Sequence, residues 1–305
     1  MKKILVIGSS NVDLVVDVPH TPKTGETILA KNMLKLPGGK GANQAFACGK
    51  LGGNVSFLSA IGDDSAGELL THSLKSANVN QDCVSKIKDA DTGIALIYID
   101  AEGDNCIVVI TGANDSCDVD YVTSHDDMLK DCDIMMIQAE VPIDAVLHSI
   151  RVAGKYGKTV IFNPAPAPKG LPDDIWKDID FLTPNESELE ILAGVSTDSE
   201  ENMRVACGKL LEKGVKNVII TLGARGALLC NSDTFVIYPA YKVKAVDTTA
   251  AGDTFNGALA VALAKGWNLA DSIDFANRAA AVSVSRKGAQ ASIPSQGDIV
   301  AYFEQ

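Results

Sequence analysis

Short apolar runs recur along the chain, each ending in a polar residue or glycine: KILVIG, DIMMIQ, KTVIFN, DIDFLT and KNVIITLG, with helix-length stretches between most of them. Continuous apolar runs of this length suit strands buried on both faces. Their alternation with helices predicts a mostly parallel sheet covered on both sides. In such sheets ligands bind beyond the carboxyl ends of the strands. Two stretches break the rhythm. Residues 12–36 and 93–112 are rich in strand formers without intervening helices, and the second is two apolar runs joined around Asp100 to Asp104, a hairpin signal. Together they predict a small β-sheet projecting as a lid from a single α/β domain over residues 1–305. No internal repeat, low-complexity tract or linker interrupts the pattern.

Composition adds exclusions. With 46% hydrophobic and 22% charged residues and a mean hydropathy of +0.11, the chain has the make-up of an ordinary globular protein. Its net charge of −12 opposes the phosphate neutralisation on which nucleic-acid affinity rests, so neither nucleic acid nor an anionic membrane is an expected partner. The seven cysteines are odd in number and never closer than eleven residues, which suggests neither a disulfide framework nor a CxxC site. They fit a reducing cytoplasm. The opening MKKILVIGSS has the lysines of a signal peptide, but only Ile4 to Ile7 are apolar before Gly8, so it reads as a first buried strand. No apolar run approaches the roughly 20 residues needed to span a bilayer.

The chemistry concentrates in two glycine-containing segments. In DTTAAGDTFNG, residues 247–257, two aspartates bracket small residues, and Phe255, Ala258, Leu259, Ala262 and Leu263 then fall on one helical face, so a helix begins near Gly252. Ala250, Ala251 and Gly252 expose backbone N–H groups where the helix dipole favours a phosphate. Asp253 in that first turn reads equally well as a simple complement to the dipole. The second segment is PGGKGANQA, residues 37–45. It is not a Walker loop, because residue 34 is Leu and Lys40 is followed by Gly41. Its glycines permit close backbone approach, and Lys40 and Asn43 offer donors to a polyhydroxylated ligand; a structural turn is the plain alternative. Polar residues also gather where strands should end: Asn11 and Asp13, Glu140, Asn185 and Glu188, and TLGARG at 221–226.

The combination of NVD, PGGKGANQA, TPNESE, TLGARG, DTTAAGDTFNG and RKGAQASIP, in this order over almost the full chain, resembles the ribokinase family of carbohydrate kinases. That resemblance implies a three-layer α/β/α sandwich with a mostly parallel central sheet and a β-sheet lid. It implies ATP-dependent phosphorylation of ribose at the 5-hydroxyl, with Asp253 as general base and the N–H groups of Ala250, Ala251 and Gly252 as anion hole. Ribose contacts would fall on Asn11, Asp13, Gly39, Lys40, Asn43 and Glu140, together with Asp253. Nucleotide contacts would fall on Asn185, Thr221, Gly223, Arg225 and Gly226, with Gly252 and Asn277. Glu188 would position Mg²⁺ through water. Asp247 and Thr249, with Ser283, Arg286, Gly288 and Ser292, would hold K⁺, some through backbone carbonyls.

Phosphoryl transfer demands positioning and charge stabilisation more than covalent chemistry, which suits one base and one anion hole. The alternatives are a kinase for deoxyribose, fructose or a nucleoside, and a sugar or nucleotide sensor without turnover. A dinucleotide oxidoreductase is disfavoured, since Gly8 is not followed by the other glycines of its fingerprint. Strand-rich lids expose edges that call for a partner surface, so a homodimer through the lid is expected.

Overall fold

The apolar runs are strands because alternate side chains find hydrophobic cover on both faces. In chain order the strands are β1 (Lys3–Ile7), β2 (Asn11–Asp17), β3 (Asn32–Gly38), β4 (Asn54–Gly62), β5 (Asn80–Ile87), β6 (Gly93–Ile99), β7 (Asn105–Ile110), β8 (Ile134–Gln138), β9 (Thr159–Asn163), β10 (Phe181–Leu182), β11 (Asn217–Thr221), β12 (Ala227–Cys230) and β13 (Phe235–Tyr238). The helices are α1 (Lys40–Lys50), α2 (Ser65–Ser76), α3 (Val119–Ser124), α4 (Asp126–Asp131), α5 (Ile143–Lys155), α6 (Glu186–Ala193), α7 (Glu200–Glu212), α8 (Ala251–Ala264), α9 (Leu269–Val284) and α10 (Gln296–Phe303). The computed structural model describes residues 1–102 and 104–304. Gly103, in the expected hairpin turn, and Gln305, at the end of the expected domain, lie outside the described residues.

The main sheet runs β13-β12-β11-β10-β9-β8-β1-β4-β5, parallel from β11 through β5, with β12 and β13 added antiparallel at one edge. In β1, Ile4 and Val6 enter one core, with residues of α1, α2, α8 and α9, while Leu5 and Ile7 enter the other, with residues of α5 and α7. β8 repeats this with Met136 against Met135 and Ile137. Period-two alternation between two apolar layers is what makes these strands read as unbroken hydrophobic runs. The architecture is therefore a three-layer α/β/α sandwich. After β1 the chain builds β4 on one side and later β8 on the other, so the strand order reverses at β1 and opens a crevice at the carboxyl ends.

A second sheet has the order β3-β2-β6-β7. β2 pairs antiparallel with β3 and parallel with β6, and β7 closes an antiparallel hairpin with β6. Residues 18–31, between β2 and β3, carry no regular secondary structure. The strands that the apolar runs did not announce are β4, β5, β12 and β13. β4 reads NVSFLSAIG, with serines that break its run, and β12 and β13 are four residues each, too short for a period to register. Among the described residues no helix is long and apolar enough to cross a membrane.

Candidate active site

Helix α8 starts at Ala251 with an open first turn. Ala250 before it has a left-handed backbone (φ 59°, ψ 14°), and no side chain caps the helix. A non-glycine residue in that region costs on the order of 1–3 kcal/mol unless its surroundings hold it. Here Thr254 donates both its N–H and its hydroxyl to the Ala250 carbonyl, each at 2.8 Å. Of the three N–H groups expected to bind an anion, that of Ala251 donates to the Thr248 carbonyl at 3.2 Å, closing the loop. Those of Ala250 and Gly252 have no partner among the described residues, and Gly252 is exposed, so an anion can approach the positive end of the helix dipole there.

One residue further on, Asp253 is buried. Its Oδ2 accepts from Asn43 Nδ2 and its Oδ1 from Gln44 Nε2, both at 3.0 Å. These donors come from the start of α1, whose own first N–H group, on Lys40, donates to Glu140 Oε2 at 3.0 Å. The same oxygen accepts from Ser9 Oγ at 2.6 Å, so the residues following β1, β8 and β3 are tied together around one carboxylate.

Asp13 stands beside this group against a backbone that only glycine allows. A Cβ on Gly38 would lie 2.2 Å from Asp13 Oδ2, and one on Gly39, whose φ is 86°, would lie 2.6 Å from the Asn11 nitrogen. Burial, first, and then the carboxylates of Glu140 and Asp253 push Asp13 up to about 7, with Lys40 pulling the other way. For half-buried Lys40 the largest influence is burial, which lowers its pKa, but Asp253, Glu140, Glu188 and Asp13 together outweigh it and raise it above the ordinary lysine value. One cation among four carboxylates thus stays charged. Asn11 is buried too, its Oδ1 accepting from Asn114 Nδ2 at 2.7 Å.

The expected nucleotide residues lie on the more open flank. Asn185 caps α6 in a reciprocal pair with Glu188: Glu188 N–H donates to Asn185 Oδ1, and Asn185 N–H to Glu188 Oε2, both at 2.8 Å. Burial raises the Glu188 pKa. Asn185 bridges to Thr221 at the end of β11, and Gly223 and Gly226 follow in the next turn. Asn277 Nδ2 donates to the carbonyls of Tyr238 and Pro239 at 3.1 and 3.4 Å, holding the strand that abuts Gly226, so its Oδ1 is the end left for a ligand. The Arg225 guanidinium pairs with Glu186 at the surface.

Asp247 links two loops. Its Oδ1 accepts from Thr249 N–H and its Oδ2 from Gly288 N–H, both at 2.9 Å. Burial pushes its pKa up, but the Thr249 side chain, then these two N–H groups and the Lys287 charge, outweigh it and hold the carboxyl below its usual range. Ser283 and Ser292 are buried with their hydroxyls 2.8 Å apart, and Thr254 Oγ1, its proton on the Ala250 carbonyl, lies 3.3 Å from Ser283 Oγ, joining this group to α8. The Arg286 side chain turns away to pair with Asp298 at 3.2 Å.

A sequence profile of the pfkB family of carbohydrate kinases matches residues 1–296. The chain belongs to this family. It is 42% identical over 306 residues to the ribokinase of Schizosaccharomyces pombe, covering 97% of this chain and 96% of that one. It is 39% identical over 292 residues to the deoxyribokinase of Salmonella typhi, covering 96% and 95%. Among solved structures, the Arabidopsis thaliana ribokinase in complex with ribose and ATP superposes with a TM-score of 0.91 at 32% identity, over 100% of this chain and 99% of that one.

In this pfkB-family fold several polar residues at the site gave no signal of their own in the sequence. Ser9 follows β1 as part of SSN and looks like turn chemistry, yet its hydroxyl orients Glu140. Asn114 sits just past β7, and its two amide ends engage Asn11 and the Ser10 N–H, so it fixes Asn11 from a position 103 residues away. Gln44 lies inside the quoted PGGKGANQA, but only the fold shows what its amide faces.

Proposed function

We propose that this pfkB-family kinase transfers the terminal phosphoryl group of ATP to the 5-hydroxyl of ribose, with Asp253 as general base. The observation that carries the reading is the place of Asp253, a buried carboxylate in the first turn of an uncapped helix, held by two amides beside Asp13, Lys40 and Glu140. Asn11, Asp13, Gly39, Lys40, Asn43 and Glu140 bind the sugar. Asn43 Oδ1 is buried without a partner, an acceptor suited to a sugar hydroxyl. The attacking hydroxyl gives its proton to Asp253 as its oxygen bonds to the γ-phosphorus and the phosphorus–oxygen bond to ADP breaks. Charge on the transferred group meets the N–H groups at Ala250 to Gly252, with the Ala251 N–H exchanging its long bond to Thr248 for the phosphate.

The nucleotide lies along Asn185, Thr221, Gly223, Arg225 and Gly226, with Gly252 and Asn277. Mg²⁺ fits through Glu188, whose Oε1 is not used in the helix cap. Mg²⁺ commonly keeps several waters and is bound through one or two carboxylates together with substrate phosphates. Bound there it would neutralise phosphate charge. K⁺ fits between Asp247 and Thr249 on one side and Ser283, Arg286, Gly288 and Ser292 on the other, a reading supported by the Asp247 carboxylate, which spans the two loops through the Thr249 and Gly288 N–H groups.

Residues 1–305 act as one domain with segments 12–36 and 93–112 as the lid, which excludes water from the transfer. The outer edge of that lid is apolar: Ile107, Val108, Val109 and Ile110 are each about half exposed, which supports a homodimer formed through it. Seven free cysteines support a cytoplasmic location.

The test is ADP release by the purified protein with ribose, 2-deoxyribose, fructose and a nucleoside as acceptors. The highest kcat/KM is expected on ribose. A higher value on 2-deoxyribose would move the assignment to the reading that the Salmonella typhi relative represents, and no release with any acceptor would make the protein a sensor.

A further inference from the structure

Three buried amides and one backbone carbonyl form a chain that ends on Asp253. Gln44 lies on α1, while Gln138 and Asn163 are the last residues of the adjacent strands β8 and β9. Gln44 Nε2 donates to Asp253 Oδ1 and to Asn163 Oδ1, each at 3.0 Å. Gln138 Nε2 donates to Gln44 Oε1 at 2.7 Å, and Asn163 Nδ2 donates to the Thr183 carbonyl at 2.8 Å.

Each amide has a donor end and an acceptor end, and the chain permits one assignment. The Thr183 carbonyl can only accept, so Asn163 turns its NH₂ towards it and its oxygen towards Gln44. The Gln44 atom between that oxygen and the Asp253 carboxylate must then be the NH₂, and the opposite end of Gln44 must be an acceptor for Gln138. A main-chain carbonyl thereby fixes, through two side chains, that an N–H and not a carbonyl oxygen faces Asp253. Gln138 meets the Gln44 acceptor with its NH₂ and leaves its own Oε1 buried without a partner among the described residues, at a cost.

We propose that Gln44 is a positioning residue for phosphoryl transfer, oriented by Gln138, Asn163 and the Thr183 carbonyl so that its N–H fixes the Asp253 carboxylate in the plane from which it takes the proton. The proposal rests on the reading of Asp253 as general base. Gln44 is fully buried and stands behind the carboxylate, so its contribution belongs to the chemical step and not to substrate binding. Asn43 differs: it touches the other Asp253 oxygen and, in the reading above, gives its Oδ1 to the sugar, so its loss should change both kcat and the ribose KM.

Gln44→Met keeps length and flexibility and removes the N–H. Displacing a reacting group by about 1 Å costs up to about a hundredfold, so kcat is expected to fall about 10- to 100-fold while the KM values for ribose and ATP stay within about threefold. Asn43→Ala, run beside it, should raise the ribose KM as well. A folded Gln44→Met protein with kcat within about twofold of the parent, or with kcat and both KM values changing together, overturns the proposal. If Gln44→Met does not fold, Asn163→Leu decides. It leaves the Gln44 amide in place but removes the acceptor through which the Thr183 carbonyl sets its polarity, and a fall in kcat at unchanged KM supports the proposal while an unchanged kcat overturns it. Asp253→Asn separates the two readings. If that variant turns over, the general base and this proposal fall together. If it is inactive and Gln44→Met is unimpaired, the proposal alone falls.

Discussion

The flank proposed for the sugar and the flank proposed for the nucleotide are built differently. On the sugar flank Asn11, Asp13, Asn43 and Asp253 are buried, their neighbours are glycines because no Cβ fits, and each hydrogen-bonded amide has one allowed orientation. On the flank proposed for the nucleotide Gly226 is crowded by the Tyr238 carbonyl, but Gly223 and Gly252 have no atom of the described residues within 4 Å of a Cβ position, and residues 239–249 carry no regular secondary structure. The difference teaches where discrimination is located. Buried polar groups paired in one arrangement reject a ligand lacking one hydroxyl, because a buried partner is then left unsatisfied, whereas an open loop tolerates change.

Substitutions on the two flanks should therefore differ in size. The largest effect is expected from Asp253→Asn, which should lower turnover by about 10² to 10⁴, the usual contribution of a general base. Ribose and ATP binding should persist. Single-turnover kinetics with calorimetry on the same protein checks this, and more than about a tenth of parental turnover would remove Asp253 from that role.

The burial of the tighter flank should also appear as a pH effect. Asp13 titrates near 7 in the folded chain against 3.8 ordinarily. A raised carboxylate pKa means that the unfolded state loses its proton first, so stability falls as pH rises from about 4 to about 7 and is level above, by up to about 4 kcal/mol. Asp13→Asn removes this dependence. Urea unfolding of both proteins at pH 5 and pH 8 should show the variant gaining on the parent at the higher pH, and parallel curves would mean that Asp13 is not so strained.

Gly38→Ala brings a methyl group against the Asp13 carboxylate and should raise the ribose KM about 10- to 100-fold, with the ATP KM little changed. Its counterpart across the site is Gly223→Ala. There the space is open and only the positive φ of 56° opposes the change, so a loss of about 1 kcal/mol in stability and a modest rise in the ATP KM are expected. Equal effects from the two variants on both substrates would end the distinction between the flanks. The smallest expected effect is that of K⁺. Replacing KCl by tetramethylammonium chloride at constant ionic strength should lower turnover, and Asp247→Ala should be insensitive to the exchange. Equal parental rates in the two salts would leave Asp247 as a loop bridge through Thr249 and Gly288 alone.

Much of this molecule was legible from local pattern. Runs such as KILVIG and DIMMIQ are strands because their apolar residues are covered on one face or the other, and the period that places Phe255 and Leu259 on one side of α8 also puts Asp253 in its first turn. The glycines of PGGKGANQA announced a close backbone approach that the geometry at Gly38 and Gly39 then displayed. What the chain could not announce was pairing over distance. Asn43 and Gln44 meet Asp253 across 210 and 209 residues. The polarity of Gln44 depends on a carbonyl at Thr183, and whether Asp247 faces a second loop depends on how Gly288 is brought to it. Side-chain identity and spacing decide which residues can be strand, turn or helix start, because those preferences act over a few neighbours. Which donor faces which oxygen is decided only when the sheet order brings the ends of β1, β8 and β9 beside α1 and α8, since a hydrogen bond has direction and reach but no memory of sequence.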